Sequence, residues 1–227
     1  MNRFLLVLGF CGIAFATHTR AFAGPVVVPA GLPAGAPYRL VFVTNTADTA
    51  LSTDIANYNS FVTASANSDS ALASLGTTWT ALVSTVTVNA RDNTNTNPTS
   101  IGVPIYNLAG QLVATSNADL WDGTIVNPIY YDQHGAPPPP GDQVVWTGTQ
   151  PAGIADKPLG TAFPSWGEGD YATRDWVFSS YGTYAADRTY LFYGISGVLA
   201  AVPEPSTLAL AVLGALALLQ VNRRRRN

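Results

Sequence analysis

The chain has 227 residues, the length of one domain of ordinary size, and only 11% of them are charged. Between Gly24 and Pro203 there are five basic and thirteen acidic residues, a net charge of −8, which argues against a nucleic-acid ligand. The single cysteine, Cys11, lies in the N-terminal apolar run, so the body has no disulfide framework and no thiolate chemistry. Lipid attachment at Cys11 is disfavoured because Phe10 stands where such a site needs a small residue.

The N-terminus has the three parts of a secretory signal peptide. Arg3 supplies the positive start, a short apolar run follows, and small residues then occupy both positions that signal peptidase inspects. We predict a signal peptide over residues 1–23, with Ala21 and Ala23 recognised and cleavage before Gly24. The alternative is an uncleaved membrane anchor, which the short apolar run disfavours.

The first part of the body predicts an extended segment, a strand and two helices. Residues 24–37, rich in Pro, Gly, Ala and Val, form an extended lead-in. Alternating β-branched residues predict a strand over 38–44. A helix capped by Ser52 or Thr53 follows, with an apolar face at helical spacing, and a second short helix covers 69–75.

The rest of the body predicts short strands separated by long loops. Apolar, β-branched segments predict strands at 79–88, 103–108, 143–149, 176–178 and 189–199. Between them lie a helical turn at 118–122 and loops at 91–100, 132–142 and 153–175. The predicted domain, 38–201, is α+β with a mainly antiparallel sheet. Its strongly apolar first and last strands are expected to pair at the centre and bring the termini together.

Four segments of the body resemble the endostatin-like branch of the C-type-lectin-like fold. They contain Trp-Thr-Ala-Leu, Val-Pro-Ile-Tyr, Val-Trp-Thr-Gly-Thr and Tyr-Leu-Phe-Tyr-Gly-Ile, at 79–84, 103–108, 145–149 and 190–195. The resemblance implies early helices, a Trp-Thr-Gly strand and a last strand paired with the first. The disulfides and the calcium-and-sugar motifs usual in that fold are absent from the sequence, so calcium-dependent sugar binding of the usual lectin kind is not expected.

One polar loop offers oxygen ligands for a metal ion. Asp92, Asn93, Asn95 and Asn97 alternate along it, and such oxygens suit Ca²⁺. The loop lacks the Gly and the closing Glu of an EF-hand, and Asp and Asn are also common in turns. We therefore expect no cofactor, with Ca²⁺ as the alternative.

The body shows no motif for catalysis, because neither a nucleophile elbow nor a phosphate-binding loop occurs. His134 lacks a second histidine partner once His18 leaves with the signal peptide, so it predicts an exposed loop residue. The segment 167–170 predicts a flexible loop. Four aspartates could supply the paired carboxylates of a glycoside hydrolase, namely Asp119, Asp122, Asp170 and Asp175. Asp119 is better explained as a helix cap, and we predict no enzymatic activity.

Five tryptophans offer flat faces that could stack on sugar rings, although most Trp side chains are buried because of their large apolar area. Trp79, Trp146 and Trp176 are predicted to lie in the core. Trp121 and Trp166 have polar or glycine neighbours and are the better candidates for a surface ligand platform, with the core as the alternative position.

The C-terminus combines a Pro-Glu-Pro motif, an apolar run and an arginine cluster. Pro203, Glu204 and Pro205 interrupt any preceding element. A transmembrane helix is predicted at 206–221; it would span about 24 Å of a bilayer core about 30 Å thick. Positive charge stays in the cytoplasm, so the body faces outward. The orienting residues are Arg223, Arg224, Arg225 and Arg226.

This three-part tail closely resembles the PEP-CTERM sorting signal of Gram-negative bacteria. The resemblance covers residues 202–227 and implies that exosortase, a membrane protease-transpeptidase, recognises the Pro-Glu-Pro motif. It also implies a transient stage in the inner membrane, followed by the cell surface or the extracellular space. An ordinary tail anchor, the alternative, would leave the Pro-Glu-Pro motif unexplained.

The resulting hypothesis is an exported, exosortase-sorted surface or extracellular-matrix protein with a lectin-like, non-enzymatic domain that binds polysaccharide. Its partners would be signal peptidase, exosortase, the lipid bilayer and an extracellular polysaccharide, but no nucleic acid. The alternatives are a structural matrix protein without a ligand and a secreted, carboxylate-dependent glycoside hydrolase. An exposed Trp beside polar groups would favour the binding function. A flat, hydroxyl-rich face would favour the structural role, and a cleft that joins two carboxylates would favour the enzyme.

Overall fold

The central strand, β1 (Pro37–Val43), organises the computed structural model, which describes residues 24–138 and 143–202. Every residue of β1 after Pro37 is buried, because successive side chains point to opposite faces of the sheet and both faces are covered. One apolar layer receives Tyr38, Leu40 and Phe42, and the other receives Val41 and Val43.

Seven further strands occur within the described residues, and all are short. They are β2 (Trp79–Ala81), β3 (Ile105–Asn107), β4 (Leu112–Ala114), β5 (Val144–Trp146), β6 (Trp166–Glu168), β7 (Tyr193–Ser196) and β8 (Leu199–Ala200). The main sheet has the order β2-β7-β1-β3-β4, β8 also pairs with β1, and β5 and β6 form a separate pair. Only the β1–β3 pair is parallel among the described strand pairs. The α+β class and the central pairing of the first and last strands are therefore confirmed.

Two early helices cover the first apolar layer, as predicted. Helix α1 (Ile55–Asn67) buries Tyr58 and Val62, and α2 (Ser70–Ser74) follows at once. The N-cap of α1 is Asp54, whose Oδ1 accepts the Ala56 N–H at 2.9 Å, so the predicted cap at Ser52 or Thr53 is wrong by one or two positions. The described residues also form three short helical segments, α3 (Ala90–Asn93), α4 (Asn117–Leu120) and a 3₁₀ turn (Arg174–Trp176).

Several predicted strand boundaries are wrong. The strand predicted at 79–88 ends at Ala81, and the loop predicted at 91–100 begins inside α3. No strand forms at 176–178, where Trp176 ends the 3₁₀ turn and the next two residues lie outside any helix or strand. The predicted flexible loop at 167–170 begins in β6, which pairs with β5, so that prediction is also wrong.

The last predicted strand, 189–199, is broken between β7 and β8, and Arg39 fills the break. Its Nε donates to the Ser196 carbonyl at 2.6 Å and its Nη1 to the Thr94 carbonyl at 2.7 Å. The Ser196 hydroxyl accepts the Leu40 N–H at 2.9 Å, in place of a strand-to-strand bond. Burial lowers the pKa of Arg39 to about 10.

The lead-in is packed along the sheet. The Val26 N–H donates to the Leu108 carbonyl, just beyond the end of β3. The Gly35 N–H donates to the Ala201 carbonyl, beside the start of β1. Because β1 and β3 are parallel, these two contacts lie at opposite ends of the sheet. Pro37 and Ala200 are thus adjacent, as predicted for the ends of the strands, while Gly24 lies near the other end.

Buried tyrosines predict a loss of stability at alkaline pH. Burial raises the pKa of Tyr58 to about 12 and the pKa of Tyr193 well above its usual value. Tyrosine side chains in the unfolded chain ionise near pH 10, whereas these two buried side chains still hold their protons at that pH. Unfolding therefore releases protons above about pH 10, so the stability of the fold decreases as the pH rises from about 10 towards 12. The lowered pKa of Arg39 acts in the opposite direction but is a single group against these tyrosines.

Urea denaturation of the protein at pH 8 to 11 checks this expectation. Tyr58→Phe should flatten the alkaline decline by up to about 1.4 kcal/mol per pH unit, because one ionisable phenol is removed. The variant also loses the bond from the Tyr58 hydroxyl to the Ser52 carbonyl, which lowers stability equally at all pH values below 10. Identical pH slopes in the two proteins would contradict the assignment.

Candidate functional site

Most residues predicted to serve export and sorting lie outside the described part of the chain. This holds for Ala21, Ala23, Pro203, Glu204, Pro205, the transmembrane helix predicted at 206–221 and the arginines at 223–226. Gly24, the predicted first mature residue, is exposed. Among the helices of residues 24–138 and 143–202, none combines the length and the hydropathy that a membrane crossing requires.

The predicted tryptophan platform is wrong, and the core alternative is confirmed. Trp121 is 5% exposed and Trp166 is 4% exposed. The indole N–H of Trp121 donates to the Thr96 hydroxyl at 2.9 Å, and its ring packs against Trp176 at 5.8 Å between centroids. Trp166 packs against Tyr184 at 4.9 Å. Polar and glycine neighbours along the chain did not reveal this, because the packing partners, Trp176 and Tyr184, are distant in sequence.

The loop considered for Ca²⁺ uses its polar side chains locally. The Asn93 amide donates to the Ala81 carbonyl at 2.8 Å, and Asn97 accepts the N–H two residues further on. Asp92 accepts from the Asn89 amide in the first turn of α3, and Asn95 adopts a left-handed backbone with φ of 53°. Within the described residues, no three His, Cys, Asp or Glu side chains are grouped as metal ligands.

His134 has an acidic partner that its sequence context did not reveal. Its Nδ1 lies 3.1 Å from Asp69 Oδ2, while Asp69 Oδ1 accepts the Ala71 N–H and so caps α2. The histidine side chain is 42% exposed, in keeping with a loop position. The pair fastens the loop after Asp132 to the start of α2.

The four carboxylates considered for catalysis differ in their surroundings. Asp119 and Asp122 make local bonds, and the N-cap of α4 is Ser116, so the predicted cap at Asp119 is wrong. Asp170 and Asp175 lie near Glu168. Burial raises the pKa of Glu168, and the negative charges of Asp170 and then Asp175 raise it further.

A shallow groove, here called the Leu51 groove, was not predicted. Leu51 is 59% exposed and is shared by two adjoining depressions of 420 and 430 Å³. The first depression is polar and is lined by Asp48, Thr49, Ser52, Asn57 and Tyr58. The second is mainly apolar and is lined by Gly160, Thr161, Ala162, Phe163, Ala185, Ala186 and Asp187. The groove therefore offers one polar wall and one apolar wall.

Backbone hydrogen bonds hold the three loops of the Leu51 groove together. The Ala50 N–H donates to the Ala186 carbonyl, the Gly160 N–H to the Ala50 carbonyl, and the Ala186 N–H to the Ala162 carbonyl. Gly160 has φ of +85°, and a Cβ there would lie 2.6 Å from the Thr53 methyl carbon. A glycine is thus required for the close approach of the loops.

The apolar wall of the Leu51 groove presents an aromatic ring to solvent. Phe163 is 54% exposed. The loop behind it carries Tyr184, which packs against Tyr190 at 5.0 Å, and the Arg188 guanidinium lies 6.0 Å from the Tyr184 ring centroid. The Leu51 groove thus combines an exposed aromatic ring in its apolar depression with carboxylate, amide and hydroxyl groups in its polar one.

Comparison with known proteins bears on the end of the chain. Residues 201–226 match the family model of the PEP-CTERM protein-sorting motif. The chain therefore carries the sorting signal of exported proteins destined for the cell surface or the extracellular space. The predicted resemblance of the tail to a PEP-CTERM sorting signal is thereby confirmed, and exosortase is indicated as the processing partner. No curated protein matches the chain.

Proposed function

We propose that this exosortase-sorted protein is an envelope or extracellular-matrix component whose lectin-like, non-enzymatic domain binds polysaccharide through the Leu51 groove. Signal peptidase would release its N-terminus at Gly24, and the tail would hold it in the inner membrane until exosortase acts. The paired first and last strands and the two early helices support the lectin-like architecture. The net charge of −8 favours a neutral or cationic glycan over an anionic one.

The exposed Phe163 carries the proposal. An aromatic ring that is more than half exposed contributes little to the fold but offers a sugar a stacking surface. Asp48 and Asn57 on the opposite wall supply hydrogen-bond partners for hydroxyl groups. The five tryptophans, which the sequence suggested for this role, all lie in the core of the described structure.

Binding of the mature protein to a glycan array, with and without a chelator, tests the proposal. We expect chelator-independent binding that Phe163→Ala weakens about tenfold, because one stacking contact is worth about 1 to 1.5 kcal/mol. Tyr181→Ala is the matched control, since Tyr181 is a 68% exposed aromatic residue whose N–H bonds Ser179, outside the groove lining. Failure to bind any glycan would favour the structural matrix protein instead.

A carboxylate-dependent glycoside hydrolase is the second candidate, favoured by one observation. Glu168 has a raised pKa beside Asp170, as a general acid requires, with Asp175 also close. Release of reducing sugar from an array-positive glycan, abolished by Glu168→Gln, would establish this activity. Binding without turnover would leave the non-enzymatic proposal standing.

A further inference from the structure

Two chain segments that meet at one end of the sheet carry no charged side chain. Residues 24–38 and 189–202 contain no Asp, Glu, Lys, Arg or His, although the body as a whole carries a net charge of −8. These two segments meet where β1 begins, because Pro37 pairs with Ala200 and Tyr38 with Leu199. We use the name base for the exposed residues Pro33, Ala34, Gly35, Pro37, Val198, Ala200 and Val202 at this end.

The domain remains ordered up to the sorting motif. Ala201 is 3% exposed, its N–H donates to the Ala36 carbonyl at 2.9 Å, and its carbonyl accepts the Gly35 N–H at 2.8 Å. One residue, Val202, separates it from Pro203. A chain extends at most about 3.6 Å per residue, so Pro203 can be no farther than about 7 Å from Ala201 and Pro205 no farther than about 14 Å.

We infer that the base is a second recognition surface for exosortase, which contacts it while reading the Pro-Glu-Pro motif. This inference rests on the sorting assignment and not on glycan binding. A protein that binds a motif so close to the folded domain also contacts the domain surface around Val202, where the chain leaves the domain. An uncharged surface suits such a contact, because no side-chain charge has to lose its hydration.

Two exposed valines make a matched test possible. Val198 in the base and Val86 elsewhere are both 62% exposed. In cells that contain exosortase, pulse-chase labelling of the full-length protein would follow removal of the tail. We expect Val198→Lys and Val198→Asp each to slow processing about tenfold, because an apolar contact is replaced by a charge that must be desolvated. Val86→Lys should process at the rate of the parent protein.

Contact with lipid predicts a different pattern. An anionic membrane surface attracts lysine and repels aspartate, so Val198→Lys would then process normally or faster while Val198→Asp would be slow. That result would overturn the inference in favour of the bilayer, and parental rates for both variants would overturn it altogether. Equal thermal melting of Val198→Lys and Val86→Lys controls for folding.

A flexible linker between the domain and the motif distinguishes a favourable contact of exosortase with the base from steric obstruction by the base. A Gly-Ser insert of about eight residues between Val202 and Pro203 moves the motif up to about 28 Å away. If docking helps, the insert should slow processing of the parent chain and abolish the effect of Val198→Lys, because both surfaces can no longer be held together efficiently. Faster processing would show that the base obstructs exosortase and would overturn the inference. Pro203→Ala with Pro205→Ala should stop processing, and if it does not, the sorting assignment itself fails.

Discussion

Replacing Gly148 by alanine is expected to destabilise the domain by about 3 to 5 kcal/mol, enough to unfold much of a protein of ordinary stability. Gly148 has φ of +61°, a conformation that costs other residues about 1 kcal/mol. A Cβ there would also lie 2.5 Å from the Ser84 carbonyl oxygen and 2.8 Å from the Leu159 nitrogen. Both obstacles are backbone atoms, so relief requires two chain segments to move.

The matched control for this prediction is Gly182→Ala. Gly182 has φ of +71°, but a Cβ there would meet nothing within 4 Å. It should therefore lose only the conformational term, about 1 kcal/mol. Thermal melts followed by circular dichroism would compare the two variants. If Gly148→Ala and Gly182→Ala had the same melting temperature, the close approach of the backbone segments at Gly148 would not exist in solution.

Arg39→Ala is expected to cost about 3 kcal/mol of stability, by cavity formation and loss of hydrogen bonds. The side chain is 6% exposed, and its removal would leave the Thr94 and Ser196 carbonyls without the bonds that Arg39 supplies. An opposing term exists, because the lowered pKa shows that burial disfavours the charge. We expect the cavity and the lost bonds to outweigh it.

The Arg39→Met variant separates the effect of the cavity from the effect of the lost hydrogen bonds. Methionine refills most of the volume of the aliphatic stem but makes neither hydrogen bond, so it should lose about 1 to 2 kcal/mol. Urea unfolding midpoints of the three proteins at neutral pH would rank them as parent, Met, Ala. A Met variant at least as stable as the parent would show that the desolvation of the guanidinium exceeds the energy of its bonds.

Local sequence patterns predicted the helices and strands well wherever the pattern lies within a single element. The apolar periodicity of α1 and the continuous apolar run of β1 are properties of adjacent residues, and both were predicted. Strand lengths were not, because the β-branched run after Trp79 continues beyond Ala81, where pairing with β7 ends. Gly167 suggested flexibility, but a Cβ there would collide with the Trp176 carbonyl, so the glycine serves packing.

The sorting tail and the Leu51 groove differ in how far the sequence alone could predict them. The sorting tail is a linear signal that another protein reads, so its residues suffice without the fold. The Leu51 groove unites loops around residues 48–52, 160–163 and 185–187, and no local pattern links segments so distant in the chain. Phe163 was overlooked because only tryptophans were considered as sugar platforms, and all five of them fill the core of the described structure.

The course of the lead-in separates the two ends of the domain. Gly24 lies near the end of the sheet where Val26 bonds Leu108, whereas Val202 follows the opposite end, where Pro37 pairs with Ala200. On the proposed export route, signal peptidase and exosortase would therefore act on opposite ends of the domain. Cleavage at Gly24 would free the far end and leave the tail as the sole tether.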